Sequence, residues 1–400
     1  MPVKSGFLAK SSFLFIISAL FILVFFSGCT HSRPNLISPE TSPLFYDEGD
    51  IHSLVHAIER QYKYISSLEN DEVFSFASKK VSSAQLAESL KTFQEIIELA
   101  PSPLELDRII KENFLIIQAG GRKGKPPGEM LVTGYFEPFL EGSLTKNPPF
   151  IYPLYAPPPD LVSRSTKPGM AVSGRLDDGG HFQTYWTREE IDTTGILEDN
   201  ELVYLNSRFD AFLLHIQGSG KIKLQDGSLR SVQYRANNGH TYSSIGKLLV
   251  DEKKMALEDV NIPSIRLYLQ NHPMEVDRIL NHNKRYIFFG WGEEESPIGS
   301  TGQALTPGRS IAVDKNSLPM GAIAYLVSQK PVIDEQGNIV SWTPLQRFVF
   351  PQDTGAAIKG SGRVDLFWGN GGYAEITAGS MKEKGYLYFL VKNDFEVVNE

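Results

Sequence analysis

A helical cap followed by predominantly β barrels is the fold class this 400-residue sequence predicts. Three observations predict it. Apolar residues recur at three and four through residues 50–113, the grammar shifts to short β-rich runs from Glu129 onward, and Gly and Pro punctuate those runs. With 41% hydrophobic and 11% aromatic residues the chain has the composition of a folded protein, which excludes wholesale disorder. Its length suffices for two ordinary domains. A formal charge of -8 with no dense Lys/Arg stripe excludes nucleic acid as an expected partner.

The first segment gives an address. Residues 1–12 carry Lys4 and Lys10 and no acid; an apolar run from Phe13 to Phe26 follows, broken only by Ser18, and then Ser27-Gly28-Cys29. That is the layout of a secretory signal. The run is shorter than the roughly 20 apolar residues of a spanning helix. Cys29 is the chain's only cysteine, so no disulfide forms within it. A lone cysteine in this place resembles the lipobox of bacterial lipoproteins, where it is diacylated and becomes the mature N-terminus; Phe26 stands where an aliphatic residue is usual. Thr30, rather than Asp, follows the cysteine, which implies an outer-membrane lipoprotein facing the periplasm. The plainer reading is an uncleaved anchor with a buried cysteine. Residues 30–45 are Ser/Pro-rich, and 29–49 as a whole is expected to be a flexible linker after a signal peptide at 1–28.

From Asp50 the pattern is helical. Ile51, Leu54, Val55, Ile58, Tyr62 and Ile65 form one stripe; Leu86, Leu90, Phe93, Ile96 and Ile97 form another, after a Ser82-Ser83 cap. Strands are expected at 130–136, 211–217, 231–234, 285–289, 310–313, 321–327, 347–350 and 386–391. Turn dipeptides such as Asp178-Gly179, Asp226-Gly227 and Asn238-Gly239 separate several of them. A helical patch is expected from Ser243 to about Asn281.

Three segments carry chemistry. Asp353-Thr354-Gly355 and Arg363-Val364-Asp365-Leu366 set two carboxylates among glycines and apolar neighbours. Glycines admit a ligand close to the main chain. A desolvated Asp holds a proton for general-acid work. Asp314, at a strand end before a turn, reads instead as an Asx cap. Thr133-Gly134-Tyr135-Phe136-Glu137-Pro138 ends a strand in a hydroxyl, aromatics and a carboxylate. Aromatic faces suit sugar rings; the plainer reading is a strand end with a solvated Glu137. His215-Ile216-Gln217-Gly218-Ser219-Gly220 and Asn237-Asn238-Gly239-His240 supply neutral polar groups that read sugar hydroxyls, or else a pair of hairpins. His215 and His240 lack a second His at ligand spacing on one element, so no metal and no cofactor are expected. No Gly-x-Ser-x-Gly elbow and no phosphate loop occurs.

Together these segments resemble the membrane-bound lytic murein transglycosylase A family. The resemblance covers roughly residues 133–391 and adds Ile151 to Tyr155, Tyr204 to Ser207, and Asn238-Gly239-His240-x-Tyr242-x-Ser244-Ile245-Gly246-Lys247. The family's three-Asp module corresponds to Asp314, Asp353 and Asp365. The resemblance implies a mainly β fold: a double-psi β-barrel domain with an inserted smaller β-barrel-like domain and an N-terminal helical region. The implied layout is 50–138 leading into the first part of the barrel, 139–296 as the insert that walls a glycan groove, and 297–400 as the second part. It implies peptidoglycan glycan strands as substrate, the outer membrane as anchor surface and other cell-wall enzymes as the class of protein partner. By position the family's catalytic Asp falls on Asp365. Asp353 and Thr133 line the same cleft, and Gln217 and Ser219 fall on the insert's side of it. Tyr135, Glu137, Asn238 and Lys359 complete the candidate substrate-binding set. Glu137 replaces a residue that varies in the family, and Asn370-Gly371-Gly372 differs in detail from its glycine pattern.

The implied reaction breaks the β-1,4 bond between N-acetylmuramic acid and N-acetylglucosamine without water and leaves a 1,6-anhydro ring. One acid serves it, Asp365, with Asp353 orienting the site and raising the proton affinity of Asp365. Two rivals remain at this stage: a hydrolytic muramidase, whose second carboxylate is Glu137, and a non-catalytic peptidoglycan-binding lipoprotein.

Overall fold

Asp50 accepts the Ser53 N–H at 2.8 Å and starts α1 (Ile51–Ser66), whose apolar stripe Leu54, Ile58 and Ile65 is buried. This computed structural model describes residues 34–393, apart from 70, 77–78, 168–169 and 293–296; Cys29 and the signal segment lie outside the described residues. Upstream of α1, strand β1 (Asn35–Ile37) is already paired. Between α1 and the next helix, β2 (Val73–Phe76) and β3 (Lys79–Ser82) form a hairpin absent from the helical expectation. Ser82 and Gln85 make a reciprocal capping box at the head of α2 (Ser83–Glu98), and Ser102 and Glu105 repeat it for α3 (Pro103–Asn113). Then β4 (Phe114–Gln118) leads to β5 (Met130–Glu137).

After β5 the chain leaves for a second body of structure. It contains β6 (Phe139–Ser143), β7 (Tyr152–Tyr155), β8 (Val162–Lys167), β9 (Met170–Leu176), β10 (Phe182–Thr184), α4 (Arg188–Thr194) and β11 (Glu201–Leu205). It continues through α5 (Arg208–Gln217), β12 (Ser219–Leu224), β13 (Leu229–Asn237), α6 (Ile245–Asp251), α7 (Ile262–Asn271), α8 (Val276–Asn281) and β14 (Ile287–Gly292). Its sheet runs β14-β13-β12-β6-β11-β7, with a separate β10-β9-β8 ribbon.

The expected strand at 211–217 is a correction: these residues belong to α5, opened by the Ser207 side chain on Asp210 N–H and closed by Gly218 at φ 83. A continuous run such as Ala-Phe-Leu-Leu does not distinguish a buried strand from a buried helix. The Gly218 C-cap settles it, because a left-handed residue is nearly free for glycine alone.

The chain then returns through β15 (Ser310–Ala312), β16 (Ile323–Ile333), β17 (Ile339–Asp353), β18 (Arg363–Asn370), α9 (Gly372–Ser380) and β19 (Lys382–Lys392). The sheet order β19-β16-β17-β15-β18-β5, with β19 pairing β5 again, closes six strands into a ring. β5 precedes the insert and its five partners follow it, so the barrel is built from both sides of the insertion. Val132, Val349, Phe350, Val364, Leu366 and Leu390 on its strands are 0% exposed. Leu54, Leu90, Phe93 and Ile110 of the helices join that same core, so α1 to α3 brace the barrel.

The expected flexible linker at 29–49 also needs correcting over its described part. β1 pairs β4, Phe45 is fully buried against Tyr325 at 4.8 Å between ring centroids, and Asp47 pairs with buried Arg309 at 2.6 Å. An aromatic ring and a buried ion pair outweigh the Ser/Pro bias of the surrounding residues.

Candidate active site

The site is built on two parallel strands whose alternation sorts their residues. In β5 and β18, Val132, Val364 and Leu366 point into the barrel, while Thr133, Tyr135 and Asp365 share the other face. Register sets Asp365 opposite Thr133 and Phe367 opposite Tyr135. β15 lies between β17 and β18, and Ala312 pairs with Asp353 on one side and Asp365 on the other. Two strand spacings put the two Asp α-carbons roughly 10 Å apart.

Asp353 and Asp365 differ in how their oxygens are used. Asp353 Oδ1 accepts the Ser300 N–H at 3.0 Å, and Oδ2 accepts the Tyr135 hydroxyl at 3.1 Å. Burial pushes Asp353 up to about 6, with the charge of Asp365 adding and hydrogen bonds from Thr354, Ser300 and Tyr135 opposing. Asp365 Oδ1 is buried with no hydrogen-bond partner among the described residues. Burial raises its pKa; the Arg363 charge and the Thr133 hydroxyl draw it back. Thr133 Oγ1 is likewise buried without a bond of normal geometry, so the two groups adjoin rather than pair. Both residues are half-buried, and burial desolvates their carboxyls. The two carboxylate charges act on each other, and this coupling adds to the raised pKa of Asp353.

Tyr135 of β5 donates to Asp353 of β17, its ring resting on Phe367 of β18 at 5.2 Å between centroids. Burial and the two carboxylates raise its pKa well above the ordinary range, so it stays a donor. Gly134 makes room behind it. A Cβ there would sit 2.8 Å from Ala378 Cα and from the Trp368 ring, so α9 seats on β5 only because position 134 has no side chain.

The remaining candidates divide. Gln217 Oε1 accepts the Phe136 N–H at 3.2 Å and so ties α5 to β5 beside the site. Ser219, the first residue of β12, is 8% exposed. Lys359 is exposed on the loop after β17, where its charge acts on Asp314. Asp314 is a clamp: burial acts to raise it, but N–H groups of Gly360 (2.7 Å) and Asn316 (3.1 Å) hold it low.

Asn238 needs correcting as a substrate-binding candidate. It is 0% exposed, donates to Trp186 and Lys284 carbonyls at 2.8 Å each, and accepts from the Tyr286 N–H at 2.8 Å. Those bonds serve the insert's own fold. The solvated Glu137 of the plainer reading is wrong as well. Glu137 is 1% exposed, Asn370 donates to its Oε2 at 3.3 Å, and burial raises its pKa.

Sequence reasoning passed over Arg363, Ser300 and the electrostatic link from Arg363 to Tyr242. Arg363 Nη1 donates to Ala357 at 3.0 Å while its Nε is buried without a partner among the described residues. Its charge acts on both Asp365 and the Tyr242 phenol of the insert. The alternation of β18 was the available signal, since positions 363 and 365 must share a face.

Comparison with known proteins places the chain in a family. The MltA specific insert domain matches residues 131–290 and the 3D domain matches residues 309–391. Membrane-bound lytic murein transglycosylase A of Escherichia coli (strain K12) is 31% identical over 266 residues, 66% of this chain and 66% of its own length. The crystal structure of membrane-bound lytic murein transglycosylase from Agrobacterium tumefaciens superposes with a TM-score of 0.72 at 28% identity, covering 90% of this chain and 98% of that one. E. coli MltA with bound chitohexaose shares the fold, with a TM-score of 0.69 at 24% identity over 92% of this chain and 97% of that one. The chain belongs to the membrane-bound lytic murein transglycosylase A family and carries the family's 3D module at its C-terminal end.

Proposed function

We propose that this chain is a lytic transglycosylase that cleaves the β-1,4 bond between N-acetylmuramic acid and N-acetylglucosamine in peptidoglycan glycan strands, with Asp365 as its single acid and base. Membership of the family supports the reaction class. The observation that carries the residue assignment is the contrast between the two acids. Asp353 has a donor on each oxygen, whereas Asp365 Oδ1 has none among the described residues. A desolvated carboxyl with an uncommitted oxygen favours holding a proton it can give away; one held from both sides positions its neighbours.

The reaction then runs as follows. Protonated Asp365 donates to the glycosidic oxygen, the C1–O bond breaks, and N-acetylglucosamine leaves with its 4-hydroxyl restored. Arg363 and the Thr133 hydroxyl stabilise the carboxylate this creates. That carboxylate takes the proton of the muramoyl C6 hydroxyl as the hydroxyl oxygen attacks C1 of the same sugar. The acid is regenerated and the anhydro ring is closed. Intramolecular attack makes water unnecessary and lowers the entropic part of the barrier. Asp353, through Tyr135, fixes the face on which this occurs.

Hydrolysis fits less well. An inverting pair needs carboxyls about 6.5–9.5 Å apart with water between them. Glu137 lies four residues beyond Thr133 on β5, roughly 13 Å along the strand, and is buried. Association with a membrane follows the naming of the curated relatives. An outer-membrane lipoprotein anchored through Cys29, with its body in the periplasm among other cell-wall enzymes, is the localisation this reading adopts.

Mass spectrometry of muropeptides released from purified sacculi tests the reading. Anhydro ends, lighter than reducing ends by one water, are expected, and Asp365→Asn should release none while folding normally. Reducing ends would establish hydrolysis instead. Binding without release on a murein-containing gel would make the chain a glycan binder.

A further inference from the structure

The insert holds a cavity of about 220 Å³ that the groove chemistry does not use. One wall is a stripe of α5, namely Arg208, Ala211, Phe212 and His215, at the three-and-four spacing of a helix face. Other positions of the same helix face the barrel: Leu213 joins its core and Gln217 holds β5. Cavity and candidate acid are therefore separate sites.

Arg188 of α4 is the group that needs explaining. It is 3% exposed and lines the cavity. Its Nε donates to the Asn283 carbonyl at 3.0 Å, its Nη2 to that of Arg285 at 2.6 Å, and its plane lies 4.8 Å from the Phe212 ring centroid and 5.0 Å from that of Tyr286. Yet it has no ion-pair partner among the described residues. Asp192, the carboxylate on the same wall, feels the Arg188 charge and hydrogen-bonds Arg208 at 3.4 Å, and Arg208 also pairs with Asp277. Two cations, Arg188 and Arg208, thus share the one carboxylate among the cavity's lining residues, so positive charge predominates there. His215, 7% exposed, lies beside it. Its Nδ1 accepts the Ile287 N–H at 2.9 Å, so the neutral ring carries its proton on Nε2, which has no partner among the described residues. Two buried donors, one of them cationic, thus converge on a partly open cavity whose remaining walls include Tyr155, Tyr286, Leu280 and Ile151.

We infer that this cavity binds the carboxylate of a small, partly apolar acid, held by Arg188 and the Nε2–H of His215 between the rings of Tyr155 and Tyr286. A volume below the roughly 300–1,000 Å³ of drug-sized sites excludes a disaccharide and suits a few heavy atoms. The carboxylate belongs either to the end of a short peptide or to a free organic acid.

Calorimetric titration of the full-length chain in detergent distinguishes these. Propionate stands for the free acid and N-acetylalanine for the peptide end, with propionamide and N-acetylalaninamide as uncharged controls. Saturable binding of at least one acid and of neither amide is expected. Tighter binding of N-acetylalanine identifies a peptide end; equal or better binding of propionate identifies a free acid. Arg188→Gln should weaken the bound acid about tenfold or more, the loss of a charged hydrogen bond. Because Arg188 also secures two carbonyls, Ala211→Leu is the sharper variant: it fills the space and leaves every donor in place. With circular dichroism unchanged, it should abolish binding. Asp365→Asn should bind as the parent does, which separates this inference from the catalytic assignment. Absence of saturable binding by either acid, binding of the amides, or undiminished binding by a folded Ala211→Leu variant overturns it.

Discussion

Arg363 and burial pull the proton affinity of Asp365 in opposite directions, and this balance sets when the acid can work. Removing the cation by Arg363→Gln leaves burial less opposed. The alkaline limb of kcat/KM should therefore move to higher pH, while a limb that stays put would mean the guanidinium does not face the acid. Asp353 makes a second prediction, on stability. Its pKa rises from 3.8 to about 6 on folding, so between those values the folded state holds more proton than the unfolded state. Stability must fall as pH increases through that window, by at most a few kcal/mol, and stay lowered above it. Asp353→Asn should flatten this part of the pH–stability curve measured by urea denaturation. An unchanged slope would locate the effect in another group.

Gly134 shows how one position couples helix and strand. An added methyl at 2.8 Å from Ala378 Cα meets backbone, which cannot swing aside. Gly134→Ala should cost about 1–3 kcal/mol, the usual range for overpacking. Because Thr133 and Tyr135 flank it, activity should drop with stability; a thermal melt and an assay on the same sample check both. The legibility of such elements from sequence was uneven for physical reasons. The short β-rich run punctuated by Gly and Pro made 130–136 readable as a strand; the glycine-bounded acids stood out at 353 and 365. α5 was misread because a continuous apolar run has no period, and only Gly218 marked its end. Asn238 looked like a sugar reader because polarity is visible in a sequence whereas its donation to Trp186 and Lys284, 52 and 46 positions away, is not. Arg188 and its cavity were invisible for the same reason: β7, α4, α5, α8 and the residue before β14 supply the lining.

The segment before α1 changes what holds the molecule together. Asp47 and Arg309, 262 positions apart, meet in a bidentate pair at 2.6 and 2.9 Å, with Arg309 at 0% exposure. Arg309 also donates to the carbonyls of Asp50 and Phe348, at 2.9 and 3.0 Å, and Asp47 Oδ2 accepts the Phe348 N–H at 2.8 Å. Next to it Glu48 accepts from Arg347 and Lys330, both at 2.6 Å. The residues preceding α1 are thus fastened to β16 and β17, strands of the barrel that carries Asp353. Asp47→Ala strands a fully buried guanidinium and two backbone donors, so it should cost about 3–5 kcal/mol. The exposed pair Arg108–Glu112 at 2.6 Å serves as the control, because a solvated helix pair contributes well under 1 kcal/mol. Denaturant midpoints with unchanged m-values measure both. Equal, small effects from Asp47→Ala and Glu112→Ala would show that the segment merely lies against the barrel; a large and selective loss at Asp47 would make it a structural part of the catalytic body, and deletions reaching past Asn35 should then lower stability and activity together.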